Sequence, residues 1–345
     1  MKSLSFKKSV VFFLAAALAT GCLSVVFGGG SKEVAKDSTE AKAATVLKLG
    51  STITTTHPHM VAARQAGEWI KERTKGQVEL QVFPDGQLGK EGDIFEGVMM
   101  GSIQMYLVAP AMVAKYYPAM AISDMAYMWK DYESQKKVMR GPIGQEFMRG
   151  ILAKTNTRVL DFHWDYGARQ VTANVPATKP ADLKGLKIRC PESPVNVAIG
   201  HAIGYTPTPM DPQEVYTAIQ QKVVDGQENP IPTIYARKFY EVNKNIILTE
   251  HIHQFEVVGI NEKLFSSFSK ETQDIIQKAI MEGGDLAGRL NRENEEKQLK
   301  EMEAKGMQVS HPDLEAFRAA CSQIYKQFET KWGVGLYEKI LAEQK

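Results

Sequence analysis

Apolar and polar residues along this chain alternate with two different periods, and the two periods follow each other in turn. Residues 46–49 and 78–83 alternate with the period of a strand, whereas residues 59–75 place their apolar side chains on one helical face. A helix over residues 91–100 and a strand over residues 103–108 repeat the unit. This rhythm predicts an α/β fold with mostly parallel sheets flanked by helices.

A second series of strands and helices begins near residue 158. The pattern predicts strands over residues 158–162 and 186–189 and a short helix over residues 214–221. From residue 269 a helical pattern continues to residue 305, and Gly283-Gly284 is its weakest point. Two α/β bodies and one long helix that spans both predict a two-lobed protein with a cleft between the lobes.

The N-terminal segment has the pattern of an export signal. Lysines precede an apolar run, VVFFLAAALA at residues 10–19, which is shorter than the roughly 20 residues that a membrane span needs. The run is followed by Gly21-Cys22, which resembles a bacterial lipobox, so residues 1–21 are predicted to be a signal peptide and Cys22 to be lipidated. Ordinary cleavage after Ala19 is the alternative. Residues 22–45 are small and polar and are predicted to form a tether.

The length of the chain and its charge balance restrict the possible functions of the protein. A chain of 345 residues is long enough for two domains, and 42 basic against 40 acidic residues argue against a nucleic-acid-binding protein. Beyond Cys22, the chain has Cys190 and Cys321. They would pair only in an oxidising compartment and with suitable geometry, and two free, buried thiols is the favoured interpretation.

Signatures of common enzymes are absent from the sequence. It contains no G-x-S-x-G, H-E-x-x-H, P-loop or G-x-G-x-x-G motif. His57-Pro58-His59 and His251-Ile252-His253 have the spacing of a metal-binding pair on a strand, but no acidic or cysteine ligand accompanies them at a recognisable spacing, so a metal site is not favoured. Residues 225–230, DGQENP, are so polar that they predict a loop whose side chains face a ligand.

Several longer segments together resemble the solute-binding proteins of TRAP transporters. In the second half of the chain they are GARQVT at 167–172, PADLKGLKIR at 180–189, PTPM at 207–210, EVY at 214–216, DGQENP at 225–230 and KFYEV at 238–242. PDGQLG at 84–89 matches the N-terminal half of that family. The resemblance runs in the family's order from about residue 46 to the end.

The resemblance implies a periplasmic receptor with a two-lobed periplasmic-binding-protein-like fold, which binds an organic anion and delivers it to a membrane permease. It places Arg189 at the family's principal carboxylate-binding arginine, Arg169 at a second cationic contact and Asn229 at an amide contact. A guanidinium suits this task because its planar fork of donors can bind a carboxylate bidentately. Arg189 also follows Leu186 and Ile188, so a buried strand would end in a charge that needs a partner.

Departures from the sialic-acid branch of that family narrow the ligand. Where that branch has an aromatic residue, an acidic residue and an asparagine, this chain has Pro212, the Ala109-Pro110 region and Thr52. A polar far wall that includes His57, Glu91 and Trp164 would suit a hexuronate or a similar sugar acid, because a sugar ring can lie against an indole. Small 2-hydroxy acids, 2-oxo acids and C4-dicarboxylates are the alternative ligands.

Hinge closure around the ligand is the predicted mechanism. The first lobe is predicted to comprise residues 46–166 and about 253–290, and the second residues 167–252 and about 291–345. We expect no cofactor, a monomer, and contact with the membrane only through the N-terminus. Two other functions stay open: a periplasmic enzyme that acts on a sugar acid, with Glu91, Glu228 or a histidine as its catalytic group, and a lipoprotein sensor for a signalling partner.

Overall fold

Strands and helices alternate through residues 44–345, the part of the chain that this computed structural model describes. The predicted signal peptide over residues 1–21, the candidate lipidation site Cys22 and nearly all of the predicted tether lie outside the described residues. None of the helices within residues 44–345 is both long enough and apolar enough to span a membrane.

The strands agree with most of the sequence-based predictions but differ in length. They are β1 Thr45–Gly50, β2 Val78–Phe83, β3 Met105–Val108, β4 Thr157–Ala173, β5 Lys187–Cys190, β6 Thr206–Pro209, β7 Gly226–Pro230, β8 Asn245–Ile247, β9 His253–Asn261 and β10 Gln308–Ser310. The largest difference is β4, which continues far beyond the predicted strand over residues 158–162.

The helices include the predicted long element near the C-terminus. They are α1 Pro58–Arg73, α2 Glu91–Met100, α3 Pro110–Ala114, α4 Tyr132–Met139, α5 Pro142–Thr155, α6 Pro194–Ala202, α7 Val215–Gln220, α8 Ile231–Ala236, α9 Glu262–Ser267, α10 Lys270–Ala304, α11 Leu314–Cys321, α12 Glu329–Trp332 and α13 Leu336–Glu343. Short 3₁₀ helices cover Pro118–Asp124, Pro180–Leu183, Phe239–Glu241 and Ile324–Gln327.

Two sheets share the long strand β4. The first sheet has the order β2-β1-β3-β9-β4, and the second continues from β4 through β7 and β5 to β6, with β8 also beside β4 and β10 beside β8. Strands β4 and β9 run antiparallel to the strands beside them. The other strand pairs in both sheets are parallel. The register of β4 shifts just before Gly167, which has a φ of 99°, and from Arg169 onward β4 pairs with β7. The chain therefore passes from one sheet to the other near residue 167.

Strand β7 contradicts the predicted loop over residues 225–230. Its residues are buried in the second sheet although they are polar. Burial is tolerated because the side chains bond to one another: Asn229 Nδ2 donates to Gln227 Oε1 at 2.5 Å, and Gln227 Nε2 donates to Thr172 Oγ1 at 2.9 Å. The polarity of the segment therefore misled the prediction of its secondary structure.

Helix α10 runs without interruption through Gly283-Gly284, which the sequence marks as a weak point. Both glycines are buried and face the first sheet. A Cβ added at Gly284 would lie 2.7 Å from Asp161 Oδ2 and 2.9 Å from Trp164 Cδ1. The glycines thus allow the helix to approach β4 closely and leave room for the Trp164 indole, which is fully buried in the core.

We predict that Gly284→Ala lowers the free energy of unfolding by about 1–3 kcal/mol, because the added methyl group overpacks the contact with β4. Gly92→Ala in α2 is the matched control, since the nearest atom to its added Cβ is the flexible end of Met112 at 3.9 Å. The free energy of unfolding of the Gly92→Ala control is expected to rise by up to about 1 kcal/mol, because alanine has a higher helix propensity than glycine. Urea unfolding measures both, and equal midpoints for the two variants would contradict the packing argument.

Cys190 and Cys321 are free and buried in the structure, which confirms the interpretation favoured from the sequence. Burial raises the pKa of each thiol to about 12. Neither thiol is therefore a reactive thiolate at neutral pH.

Candidate functional site

A cavity of about 520 Å³ is lined by residues from both sheets. Thr52, Glu91 and Glu256 belong to the first sheet and its helices, whereas Arg189 and Asn229 belong to the second. The long strand β4 adds Tyr166 and Arg169 where it passes between the sheets. Clefts of this kind, with a few polar groups converging on them, are typical sites for small ligands.

Arg189 is a buried cation that lines the cavity. It has no carboxylate partner among the described residues. Its side chain lies on β5 and is 3% exposed. Nε and Nη2 both donate to Met210 O, at 2.9 and 2.6 Å, which fixes that edge of the guanidinium. The other edge, formed by Nη1 and Nη2, keeps N–H groups that donate to no described residue. Burial lowers the pKa of Arg189 to about 10, so the charge is held in a place that disfavours it.

Arg169 also lines the cavity, but its charge is already balanced by Glu228. Nε forms an ion pair with Glu228 Oε2, and Nη2 donates to Glu228 Oε1 at 2.9 Å. Nη1 donates to Gln254 Oε1, and His251 Nε2 lies 3.2 Å from Glu228 Oε2. Burial alone would raise the pKa of Glu228, yet Arg169 and His251 outweigh it and hold that pKa at about 2. Arg169 is thus a rigidly held donor rather than a free charge.

Asn229 follows Glu228 on β7 and is buried beside the cavity. Its Nδ2 donates to Gln227, so the orientation of the amide is fixed. Its Oδ1 accepts no hydrogen bond from the described residues and is available to a donor on a ligand. The pairing of Gln170 in β4 with Asn229 holds this residue close to Arg169.

The first sheet and its helix α2 contribute carboxyl groups to the same cavity, half-buried at Glu91 and buried at Glu256. Glu91 begins α2, and its Oε1 accepts from Ala109 N at 2.8 Å. Glu256 lies on β9 and is 3% exposed. Burial, with neighbouring carboxylates as a smaller cause, raises the pKa of Glu91 and raises that of Glu256 well above its usual value. Burial likewise raises the pKa of nearby Asp124 to about 7.

The sequence of residues 49–331 matches Bacterial extracellular solute-binding protein, family 7. The chain belongs to this family. Family 7 proteins are periplasmic receptors that bind small carboxylates and work with the membrane permease subunits of TRAP transporters; they are binding proteins and not enzymes. The resemblance stated from the sequence and the predicted two-lobed α/β fold are confirmed.

Two curated family 7 relatives show that ligands vary among similar proteins. The sialic acid-binding periplasmic protein SiaP of Vibrio cholerae is 33% identical over 300 residues, which cover 87% of this chain and 93% of the relative. The C4-dicarboxylate-binding periplasmic protein DctP of Rhodobacter capsulatus is 31% identical over 283 residues, which cover 81% of this chain and 84% of the relative.

A solved family 7 structure has a similar fold. It is a TRAP periplasmic solute-binding protein from Xanthobacter autotrophicus with bound β-D-galacturonate, at a TM-score of 0.81 and 30% identity. The similarity covers 86% of this chain and 99% of that one.

Two of the predicted ligand contacts in this family 7 protein lie away from the cavity. Trp164 is enclosed between α10 and α1 and is not among the residues that line the cavity. His57 caps the N-terminus of α1: its Nδ1 accepts from His59 N at 3.2 Å, and its Nε2 lies 3.3 Å from Thr233 Oγ1. It reaches the cavity only through Tyr166, whose ring it stacks on at 5.0 Å. Both side chains are therefore core groups in this structure.

The sequence-based reasoning missed other cavity residues, notably Glu256 and Arg237. Arg237 Nη1 donates to Pro212 O at 3.1 Å and Nη2 donates to Thr52 O at 2.7 Å, so it joins elements of both sheets. For Glu256 a signal existed, because a single carboxyl group stands within the apolar segment of β9.

The histidine pairs that suggested a metal are engaged with other groups. Within residues 44–345, no group of at least three histidine, cysteine, aspartate or glutamate side chains is placed to hold a metal ion. His251 Nδ1 lies 2.8 Å from Thr249 Oγ1, and His253 Nε2 lies 3.2 Å from Asp165 Oδ1.

Proposed function

We propose that this protein is the periplasmic receptor of a TRAP transporter for a monocarboxylic sugar acid, with a hexuronate as the favoured ligand. The observation that carries the proposal is Arg189, a buried guanidinium with an open edge towards the cavity and no carboxylate partner among the described residues. A buried charge of this kind requires a counterion, and a ligand carboxylate supplies it.

The open edge of Arg189 suits a carboxylate because Nη1 and Nη2 can donate to its two oxygens in parallel. Met210 O holds the opposite edge, so the fork is oriented before the ligand arrives. Asn229 Oδ1 and the one remaining N–H of Arg169, on Nη1, also belong to residues that line the cavity, and they would bind a hydroxyl or carbonyl group of the ligand.

The part of the lining that comes from strand β9 and helix α2 is polar and favours hydroxyl groups. Glu91, Glu256 and Gln254 line it, and together they offer hydrogen-bond donors and acceptors. The residues that depart from the sialic-acid branch, Thr52, Ala109 and Pro212, line the cavity too, which supports a different ligand from that of SiaP. The galacturonate bound to the similar Xanthobacter protein supports a hexuronate.

Closure of two lobes around the ligand is the proposed mechanism by which the protein retains that ligand. Ion pairs join elements of the first sheet to elements of the second beside the cavity: Lys90 Nζ lies 3.0 Å from Glu214 Oε1, and Lys115 Nζ lies 3.3 Å from Glu192 Oε2. These pairs are exposed, so each stabilises a closed form only weakly. A ligand that contacts both lobes would supply the rest of the closing free energy. The lobe boundaries predicted from the sequence and a lipid anchor at Cys22 belong to the same proposal.

A thermal-shift screen of the purified protein tests the proposal. We expect D-galacturonate, D-glucuronate or a related sugar acid to raise the melting temperature, because a ligand at 100 times its dissociation constant stabilises the folded state by about 2.7 kcal/mol. Succinate, L-malate and pyruvate represent the other acid classes, and D-galactose is the neutral control. A shift with succinate alone would replace the sugar acid by a dicarboxylate, and no shift with any acid would contradict the proposal.

A further inference from the structure

Strand β9 carries an unusual carboxyl group. Phe255, Val257 and Val258 are fully buried apolar residues, and Glu256 stands among them with 3% exposure. It pairs with Trp164 in β4 and lines the cavity. Its carboxyl oxygens make no hydrogen bond to any residue within the described part of the chain. A carboxyl group that lines a cavity without a partner in the protein would be explained by a contact with a ligand.

The groups that face Glu256 come from several elements. Glu91 at the start of α2 and Asp124 in the 3₁₀ helix Pro118–Asp124 are acidic, and Tyr166 and Arg169 lie on β4. The one cation among them, Arg169, is already paired with Glu228. Burial and these neighbouring acids raise the pKa of Glu256 well above its usual value, so the carboxyl group keeps its proton to a higher pH than an exposed glutamate does and can donate it.

We propose that Glu256 determines the specificity of the cavity by donating a hydrogen bond to a ligand hydroxyl group. The inference rests on the proposed function, because it assigns the hydroxyl-bearing end of the same ligand. Arg189 and Glu256 belong to different sheets, so one ligand that reaches both would also join the two halves of the cleft.

A sugar hydroxyl group suits this position because it can both donate and accept a hydrogen bond.

The test compares Glu256→Gln and Glu256→Leu with the wild-type protein by titration calorimetry, with D-galacturonate, D-glucuronate and succinate as probes. Glutamine keeps the shape and a neutral donor, so we expect sugar-acid affinity within about 5-fold of wild type. Leucine leaves a ligand hydroxyl unpaired, so we expect a loss of about 10- to 100-fold for the sugar acid. Succinate affinity is not expected to fall, and the preference for the sugar acid therefore collapses.

A pH series separates this role from a merely structural one. In the wild type, sugar-acid affinity should fall as rising pH removes the proton from Glu256, whereas Glu256→Gln should lack that part of the profile. Glu91, Asp124, Tyr166 and Arg169 are present in both proteins, so the difference between the profiles reports on Glu256.

The outcomes are distinguishable. If the wild type binds a sugar acid and Glu256→Leu keeps the same preference over succinate, this inference is wrong and the proposed function stands. If Glu256→Leu does not fold, identical pH profiles for wild type and Glu256→Gln overturn it. If the wild type binds none of the acids, the proposed function fails and the inference falls with it.

Discussion

Replacing Arg189 with methionine should remove nearly all affinity for the carboxylate ligand. The variant loses two parallel charge-assisted hydrogen bonds in a buried site, which together are worth about 3–4 kcal/mol. The dissociation constant should therefore rise about 100- to 1,000-fold in calorimetric titration with the acid that binds the wild type. The open Nη1 and Nη2 edge of the guanidinium and its burial beside the cavity are the structural reasons.

Arg189→Lys is the matched control for this prediction. Lysine keeps the positive charge but offers a single ammonium group, which cannot reproduce the planar fork or both bonds to Met210 O. We expect an intermediate loss of affinity, smaller than that of Arg189→Met. Equal affinities for wild type and Arg189→Met, with both proteins folded, would show that the carboxylate binds elsewhere.

Glu228→Gln should lower the free energy of unfolding by about 3–5 kcal/mol, because it leaves Arg169 as a buried cation without its counterion. Both side chains are almost fully inaccessible, at 3% and 1% exposure, so solvent screens this pair little. The folded state holds the pKa of Glu228 at about 2, below the ordinary value. The stabilisation is therefore fully present above pH 4.5 or so and is lost as pH falls towards 2.

Urea unfolding at pH 7 and at pH 3 measures this effect, and the difference between wild type and Glu228→Gln should be smaller at pH 3. Glu262→Gln is the matched control. Glu262 accepts from Arg158 Nε and Nη2 at 2.7 and 2.6 Å, yet Arg158 is 39% exposed, so the loss should be about 1 kcal/mol or less. If the two variants lose equal stability, burial does not set the energetics of the Arg169 pair.

Much of the fold could be predicted from the sequence because local patterns dominate in its longest elements. The apolar face of α1, the alternation of β2 and the long helical pattern of α10 follow directly from the chain. Strand β7 could not be predicted in this way, because its polar residues are buried through bonds to β4, which is distant in sequence. The length of β4 likewise depends on two sheets that form only in the folded protein.

The candidate site could be predicted in part, and the reason differs between its residues. Arg189, Arg169 and Asn229 lie in motifs of the family, and the structure brings all three to one cavity. Trp164 is an aromatic residue near a motif, but only the fold reveals that Gly283-Gly284 makes room for it in the core. Glu256 lies in no recognised motif, and its raised pKa depends on burial and on acidic neighbours from separate elements.

The central claim is that a sugar acid binds in the cavity through its carboxylate. Calorimetric titration of the purified protein with D-galacturonate and D-glucuronate, each compared with its neutral parent sugar, tests that claim most directly. Binding of one acid at a ratio of about one to one, with no heat from the parent sugar, is the result that the structure predicts. Equal binding of acid and neutral sugar, or no binding of either acid by a folded protein, would contradict it.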